Sequence, residues 1–562
     1  MPPWTRHYDP DVPETLAPYP NRTLVDYLRE HAASLPNAPA ILFKGRRVSN
    51  AELDRLSDRF ASALVRYGVR HGDRIALVMP NTPQFLIAEI GAWKAGATVL
   101  PLNPLYTGPE LVEPLRSASV EIVVTLTPFY RKLKDIQSQT RVKRIIATNI
   151  KEYLPPLLRI LFTLAREKKD GHRISLEAGD VWFQEALETR ATSLPPPSPD
   201  DPAIMLMSGG TTGTPKAVVG LHRSLVAAGS QLRVWLRPPD NERADIALIP
   251  LPLFHVYACV GAQTHALVGG TPMALVPNPR DLDDLLKTIE RVRPTLFSAV
   301  PALFIALLNH PKVKSKSIDF TSIRACFSGA APLMAATKTQ FETLTGGRIV
   351  EGYSLTEAMM ACLVNPLNGV NKVGSVGIPL PDVEVAIVDG ESGEAMLGQG
   401  ETGEIILRAP QLMTGYWENP QETARALRSH GSGGPWLHTG DLGYLDEDFY
   451  LFIVDRQKDL IKTSGAQVWP REVEEVLALH PAIQDVGVAG VPDDRKGEAV
   501  KAWVVLRSGQ APSVEDLRAY CRTKLAPFKV PSHVEFRESL PKTMAGKVLR
   551  RVLVAEHKQK SD

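Results

Sequence analysis

Two uninterrupted apolar runs, residues 75–79 and 97–102, flank a segment, 82–95, that reads as a helix. Strand, helix and strand in that order call for a crossover and parallel pairing, so the chain is read as α/β. Helix starts upstream agree with this reading. Thr23 with Asp26 begins a helix carrying Leu24, Tyr27 and Leu28. Ser49 with Glu52 forms a capping box ahead of Leu53, Leu56, Phe60 and Leu64, and Gly68 closes that helix.

At 562 residues, 44% of them hydrophobic, the chain exceeds one ordinary domain and can bury several cores. Two boundaries stand out. The Pro-rich stretch 193–202 is a stiff loop that separates subdomains. Charges gather at 455–464, after the apolar strand near 451–454, and a fresh α+β pattern follows. There Pro470 opens a helix with Val473, Val476 and Leu477, residues 486–491 and 499–506 read as strands, and Ser513 caps a helix carrying Leu517, Cys521 and Leu525. The expected division is 1–456, a large multi-lobed domain of mixed sheets and helices, and 457–562, a small α+β domain.

Sixty-four Lys and Arg against 62 Asp and Glu leave a net charge of +2, with no long basic run interleaved with aromatics. Nucleic acid is not an implied partner, and the substrate is expected to be small. The four cysteines, Cys259, Cys326, Cys362 and Cys521, show neither metal-ligand spacing nor a disulfide pattern, which fits a reducing cytoplasmic compartment. Residues 1–10 lack the apolar core of an export signal, and no apolar run reaches the ~18 residues of a membrane span. Residues 153–169 are apolar and then basic. A surface helix packing on its own domain is the preferred reading, and a helix lying in a membrane interface is the alternative.

The run Met207-Ser-Gly-Gly-Thr-Thr-Gly-Thr-Pro-Lys-Ala217 carries the chemistry. Glycines free backbone amides to face anionic oxygens, Ser208, Thr211, Thr212 and Thr214 add hydroxyls, and Lys216 adds a positive charge. Pro215 precedes the lysine where a Walker loop has glycine, which disfavours a kinase or P-loop ATPase. Strongly apolar flanks disfavour a plain linker.

Further stretches share a family order: Glu351-Gly-Tyr-Ser-Leu-Thr-Glu357, Trp436-Leu-His-Thr-Gly-Asp441, Asp455-Arg-Gln-Lys-Asp-Leu-Ile-Lys462, Ser464-Gly-Ala-Gln-Val-Trp-Pro-Arg-Glu-Val-Glu474 and Pro541-Lys-Thr-Met-Ala-Gly-Lys547. Together with the glycine-rich loop they resemble the adenylate-forming superfamily of acyl-CoA synthetases, adenylation domains and luciferases, over residues 20 to 552. Within it, Pro252-Leu-Phe-His-Val-Tyr257 and the Trp-Leu-His-Thr-Gly-Asp run look most like long-chain fatty acid CoA ligases.

The resemblance implies an enzyme using ATP, Mg²⁺ and coenzyme A as co-substrate. Lys216, with Ser208, Gly209, Gly210, Thr211, Thr212, Gly213 and Thr214, would hold the β- and γ-phosphates. Glu357 would ligate the metal, Thr356 would touch the α-phosphate, Tyr353 would lie along the adenine with Gly329 and Ala330 on the base's edge, and Glu351, Gly352 and Ser354 would also belong to the ATP site. Asp441 and Arg456 would hold the ribose. Lys547 would act in adenylation, while Lys458, Lys462 and Gly465 would form the hinge and thiol passage of a mobile C-terminal domain. His255 would border the reacting carboxylate, and Tyr257, Phe297 and Val300 would line the acyl pocket.

Phe449 stands where the family's turn after Asp446 usually has glycine, so another turn shape is expected there, and Gly220-Leu-His222 replaces the more usual threonine before histidine. The leading expectation is a fatty acid CoA ligase favouring medium- to long-chain acids. The alternatives are an adenylating enzyme for aryl or other acids, one that loads a carrier protein, and a catalytically idle lipid or nucleotide binder. Fatty acid, ATP and CoA are the expected partners, with a homodimer and peripheral contact through 153–169 with the inner membrane face as further options.

Overall fold

The computed structural model describes residues 2–208, 216–237, 245–390, 392–431, 433–456, 459–463, 466–493, 497–542 and 548–561. They form two compact units. The first comprises Met1–Val373, Gly377–Glu384 and Arg408–Leu437; the second comprises Gly374–Val376, Val385–Leu407 and His438–Asp562.

The first unit holds two large mixed sheets. In one, the strands expected at 75–79 and 97–102 are Arg74–Val78 and Thr98–Leu102, which pair in parallel, and Ile122–Leu126 joins the other side of Arg74–Val78. The connecting helix, Pro83–Lys94, is buried along its whole length, as expected of a helix that is apolar nearly all round. The sheet ends in an antiparallel trio, Pro202–Ser208, Lys216–Leu221 and Gly415–Tyr416.

The second sheet has a parallel centre in the spatial order Met273–Leu275, Ala247–Ile249, Leu296–Ala299, Ala325–Ser328, Arg348–Leu355. Antiparallel Met360–Val364 then follows. Ligand sites of open α/β sheets lie beyond the carboxyl ends of parallel strands. Here those ends deliver Val300, Gly329 with Ala330, and Thr356 with Glu357, from three adjacent strands.

The second unit contains a sheet of Ala466–Val468, Ile461–Thr463, Gly497–Leu506 and Ile483–Asp493, with His533–Arg537 parallel to Gly497–Leu506. The expected strands 486–491 and 499–506 form one longer hairpin, with Val488 opposite Ala502. Helices Pro470–Ala478 and Val514–Arg522 cover it, burying Val473, Leu477, Leu517 and Cys521 with Val488, Val500 and Val504.

Helix caps follow the sequence with one correction. Thr23 and Asp26 form a full capping box at Leu24–Ser34. At Asn50–Arg66 the Ser49 hydroxyl accepts from the Glu52 amide, but the Glu52 carboxylate pairs with Arg46 at 2.7 Å, so the box is only half made. The turn after Asp446 keeps a glycine-like shape: Phe449 sits at φ +65° and its amide donates to the Asp446 carbonyl at 2.9 Å. All four cysteines are buried and free. Among the described residues no helix is long and apolar enough to cross a membrane.

The surface helix expected within 153–169 is present, but its apolar stripe is not what packs on the domain. That helix, Pro156–Ala165, buries none of its residues, and Leu157, Ile160, Leu161 and Leu164 are 51–80% exposed. Those positions stand at i, i+3, i+4 and i+7, so the apolar stripe of this helix faces outward. Phe162, on another face, meets the His172 ring at 5.2 Å.

Candidate active site

The glycine-rich loop spans a β-hairpin, with Ser208 at the end of one strand directly opposite Lys216 at the start of the next. The residues between them, including Gly209, Gly210, Thr211, Thr212, Gly213 and Thr214, lie outside the described residues. Lys216 ion-pairs with Glu422, and its ammonium lies 5.2 Å from the centroid of the Tyr416 ring. That pairing lowers the pKa of the Glu422 carboxyl.

Tyr416 joins the loop to the sheet end. Backbone pairing sets it opposite Val218, two residues past Lys216, and its hydroxyl donates to Glu357 Oε1 at 3.1 Å. The Glu357 carbonyl accepts from the Met413 amide at 2.9 Å, which fixes the same segment a second time. Burial and the neighbouring Glu357 raise the Tyr416 pKa, so the phenol stays a neutral donor. Lys216, Tyr416 and Glu357 therefore form one cluster, contributed by three segments far apart in sequence. Neither Tyr416 nor Glu422 was anticipated. The turn-rich run Thr414-Gly-Tyr-Trp-Glu-Asn-Pro420, which brackets an aromatic pair, was the available signal.

Thr356 and Glu357 stand in a single 3₁₀ turn, Thr356–Ala358, just past Arg348–Leu355. On that strand Glu351 and Tyr353 share a buried face, and the Leu333 amide donates to the Glu351 carboxylate at 3.2 Å. Gly352 and Ser354 take the opposite face. On the neighbouring strand end, Gly329 packs against the Tyr257 ring and Ala330 adopts φ +70°.

His255 is partly exposed. Its Nδ1 accepts from the Tyr257 amide at 3.3 Å, and burial lowers its pKa. The imidazole is then neutral at pH 7, with its proton on Nε2. The Tyr257 hydroxyl is tied to the carbonyls of Phe327 at 2.7 Å and Ala299 at 3.1 Å, which holds the ring rigidly between strand ends. Phe297 lies elsewhere. It packs with Phe304 and Phe341 at centroid distances of 5.6 and 6.0 Å, on the strand face opposite Leu296 and Ser298. Val300 is buried at the start of helix Pro301–Asn309.

In the second unit Asp441 sits directly opposite Arg456 across an antiparallel strand pair, with the Asp441 carboxylate buried. The amide of Lys462, whose side chain is exposed, donates to Glu498 at 2.7 Å. Lys458, Gly465 and Lys547 lie outside the described residues. Among the described residues of this unit, Arg550 binds three carboxylates at once, Asp455 at 3.2 Å, Asp459 at 2.9 Å and Glu474 at 2.8 Å.

In the first unit Lys216, at the start of an antiparallel strand, is linked through Tyr416 to Glu357, just past the end of a parallel one, and in the second unit Asp441 and Arg456 are in register across a strand pair. The AMP-binding enzyme family model matches residues 28–417, and the AMP-binding enzyme C-terminal domain matches residues 472–547. The chain belongs to this family of adenylate-forming enzymes. It is 40% identical to the long-chain-fatty-acid–CoA ligase of Bacillus subtilis (strain 168), over 99% of this chain and 98% of that one. Among solved structures it resembles ATP-bound MatB from Rhodopseudomonas palustris, with TM-score 0.80, 28% identity and coverage of 96% and 100% of the two chains. It also resembles the anthranilate CoA ligase AuaEII in complex with anthranoyl-AMP, with TM-score 0.83, 25% identity and coverage of 98% and 99%.

Proposed function

We propose that this protein is an ATP-dependent fatty acid CoA ligase for medium- to long-chain acids. The observation that carries the reading is the Lys216–Tyr416–Glu357 cluster, which gathers a cation, a neutral donor and a carboxylate at the foot of the phosphate loop. The fatty acid carboxylate attacks the α-phosphorus of ATP, the bond to the β-phosphate oxygen breaks, and pyrophosphate leaves. The CoA thiol, losing its proton, then attacks the acyl carbonyl, and AMP departs with the bonding pair.

Both steps concentrate negative charge, which preorganised cations and amides offset. Lys216 would exchange Glu422 for the β- and γ-phosphates, with Ser208 and the amides of the loop beside it. Thr356 would meet the α-phosphate, and Asp441 with Arg456 would bind the ribose. His255, donating from Nε2, would orient the substrate carboxylate. The residues fit Mg²⁺: Glu357 and Thr356 offer hard oxygens, and no group of three His, Cys, Asp or Glu that could hold a metal occurs among the described residues. One carboxylate with a neighbouring hydroxyl is too little for an all-protein cage but would suit an ion held in part by water and phosphate oxygens. Bound there, Mg²⁺ would neutralise phosphate charge.

Residues 457–562 would turn about Lys458 between the two steps, bringing Lys547 to the carboxylate first and Gly465 to the thiol passage second. The charged run 455–459 in the sequence supports this reading, since a few residues at the end of an element can serve as a hinge. Contact with an anionic membrane surface on the cytoplasmic side belongs to the same reading. The outward stripe of Leu157, Ile160, Leu161 and Leu164 lies beside exposed Lys168, Lys169 and Arg173, a pairing of apolar and basic groups that fits lipid.

A screen for CoA-dependent AMP release over fatty, aryl and short-chain acids tests the function. Turnover should climb with chain length, each buried methylene adding about 0.8 kcal/mol until the channel ends. Faster turnover of acetate or coumarate than of any fatty acid would overturn the reading.

A further inference from the structure

Beneath the turn Tyr257–Ala262 lies a narrow void lined by Tyr257, Gly261, His265, Leu296, Ser298 and Met360. It measures about 30 Å³, room for a water or two and far too little for an acyl chain. A chain could enter only by displacing a side chain, and Met360 is the one built to move. Its thioether lies on the bare backbone of Gly261, where a Cβ would stand 2.7 Å from Cε and 2.9 Å from Sδ. Met359 packs in the same way on Gly220, whose Cβ would stand 2.6 Å from Met359 Sδ. The absence of a side chain at Gly220 thus makes room for it.

Methionine has three soft torsions and fills irregular gaps without specifying them. The backbone is unusual as well, because Met359 and Met360 have φ of +46° and +93°, successive left-handed values that β-carbon residues rarely adopt. Gly261 stands in a π-helical turn, a rare element that recurs at functional sites. Met360 follows Glu357 by three residues, which puts the gate of the void on the side of the proposed reaction centre.

The inner wall carries a polar group that plain hydrocarbon would not satisfy. His265 is 3% exposed and its Nε2 has no hydrogen-bond partner. Burial pushes its pKa down to about 4, which leaves a neutral imidazole at pH 7. A methyl terminus that entered once Met360 moved would leave that nitrogen unpaired, whereas a hydroxyl or carbonyl oxygen would give it a partner.

Resting on the ligase reading, we propose that this void is the inner end of the acyl channel, gated by Met360. His265 there selects fatty acids that carry an oxygen toward the tail over plain acids of equal length. Sites that hydrogen-bond a substrate oxygen discriminate strongly against analogues lacking it, because the buried partner is left unpaired.

The test uses the full-length protein and kcat/KM for CoA-dependent AMP release, with paired series of plain and terminally hydroxylated fatty acids of graded length. At the length that reaches His265, the hydroxy acid should be preferred by roughly tenfold. His265→Phe should erase that preference while plain acids keep turning over. Met360→Gly, which also relieves the left-handed backbone, should move the plain-acid optimum to longer chains and gives an independent readout if the histidine variant does not fold. Release of AMP with a hydroxy-to-plain ratio near one at every length, or a ratio unchanged by His265→Phe, would overturn the inference alone. No release with any acid would sink the ligase reading and this inference together.

Discussion

Tyr416 converts two sequence motifs into one site, because its ring lies beneath the Lys216 ammonium while its hydroxyl holds Glu357. Tyr416→Phe keeps the ring and removes the donor. A hydrogen bond to a charged group contributes about 1.5–3 kcal/mol, so kcat/KM for ATP should fall at least tenfold, and wild-type kinetics in the variant would contradict the assigned role. Lys216 and Glu357 were legible in the sequence because their motifs are local. Tyr416 was not, since it reaches the loop through the pairing of Gly415–Tyr416 with Lys216–Leu221, which no local pattern encodes. Phe297 shows the reverse failure. A strand buried on both faces carries no alternation, so the sequence could not tell that Leu296 and Ser298 face the void and Phe297 the aromatic core. Glu89 yields a pH prediction at the same scale. It is fully buried, accepts a hydrogen bond from Gln263, and burial pushes its pKa up to about 8. A raised carboxyl pKa means the folded state holds a proton that the unfolded chain releases near pH 4.5. Stability from this group is full below that value and is lost as pH rises toward 8. Denaturant unfolding of Glu89→Gln, which stays neutral, should show less loss than wild type between pH 5 and pH 8, by a few kcal/mol. Parallel stability curves would refute the buried-carboxyl account.

At the scale of elements, the strands and helices with strong periodicity fell where the sequence put them, within one to three residues: Arg74–Val78, Pro83–Lys94, Thr98–Leu102 and Pro470–Ala478. The helix Pro156–Ala165 was also foreseen, yet its packing was not. Spacing at i, i+3, i+4 and i+7 identifies an apolar face but not what covers it. Here the face points to solvent, and an exposed stripe of four large aliphatic side chains calls for a partner surface. Replacing Leu161 and Leu164 together by Glu should lower sedimentation with anionic phosphatidylglycerol vesicles at least tenfold, since each buried leucine is worth about 1.5–3 kcal/mol. Turnover of a soluble acid should be unchanged. Equal vesicle binding by the double variant and the wild type would remove lipid as the partner, and a shift from dimer to monomer in sedimentation equilibrium would point instead to a second copy of the chain.

For the whole molecule, the proposed rotation about Lys458 predicts which contacts must break. Arg550 binds Asp455 on one side of that residue and Asp459 with Glu474 on the other. A turn at Lys458 would part Arg550 from Asp455 and leave the other two in place. Gly465→Leu should block thioester formation while sparing adenylate formation, and Lys547→Ala should do the reverse when acyl adenylate is supplied. Asp455→Asn, by loosening only the contact that must break, should change the relative rates of the two half-reactions more than their sum. Equal impairment of both half-reactions by Lys547→Ala and Gly465→Leu would exclude the rotation.

The central claim is that this chain activates fatty acids as adenylates, and ATP–pyrophosphate exchange without CoA measures that step alone. Exchange should depend on a medium- or long-chain fatty acid, fall by about a hundredfold or more in Glu357→Gln and Lys216→Ala, and give way to stoichiometric AMP and acyl-CoA when CoA is added. Absence of exchange with every fatty acid, or exchange that survives in both variants, would contradict it.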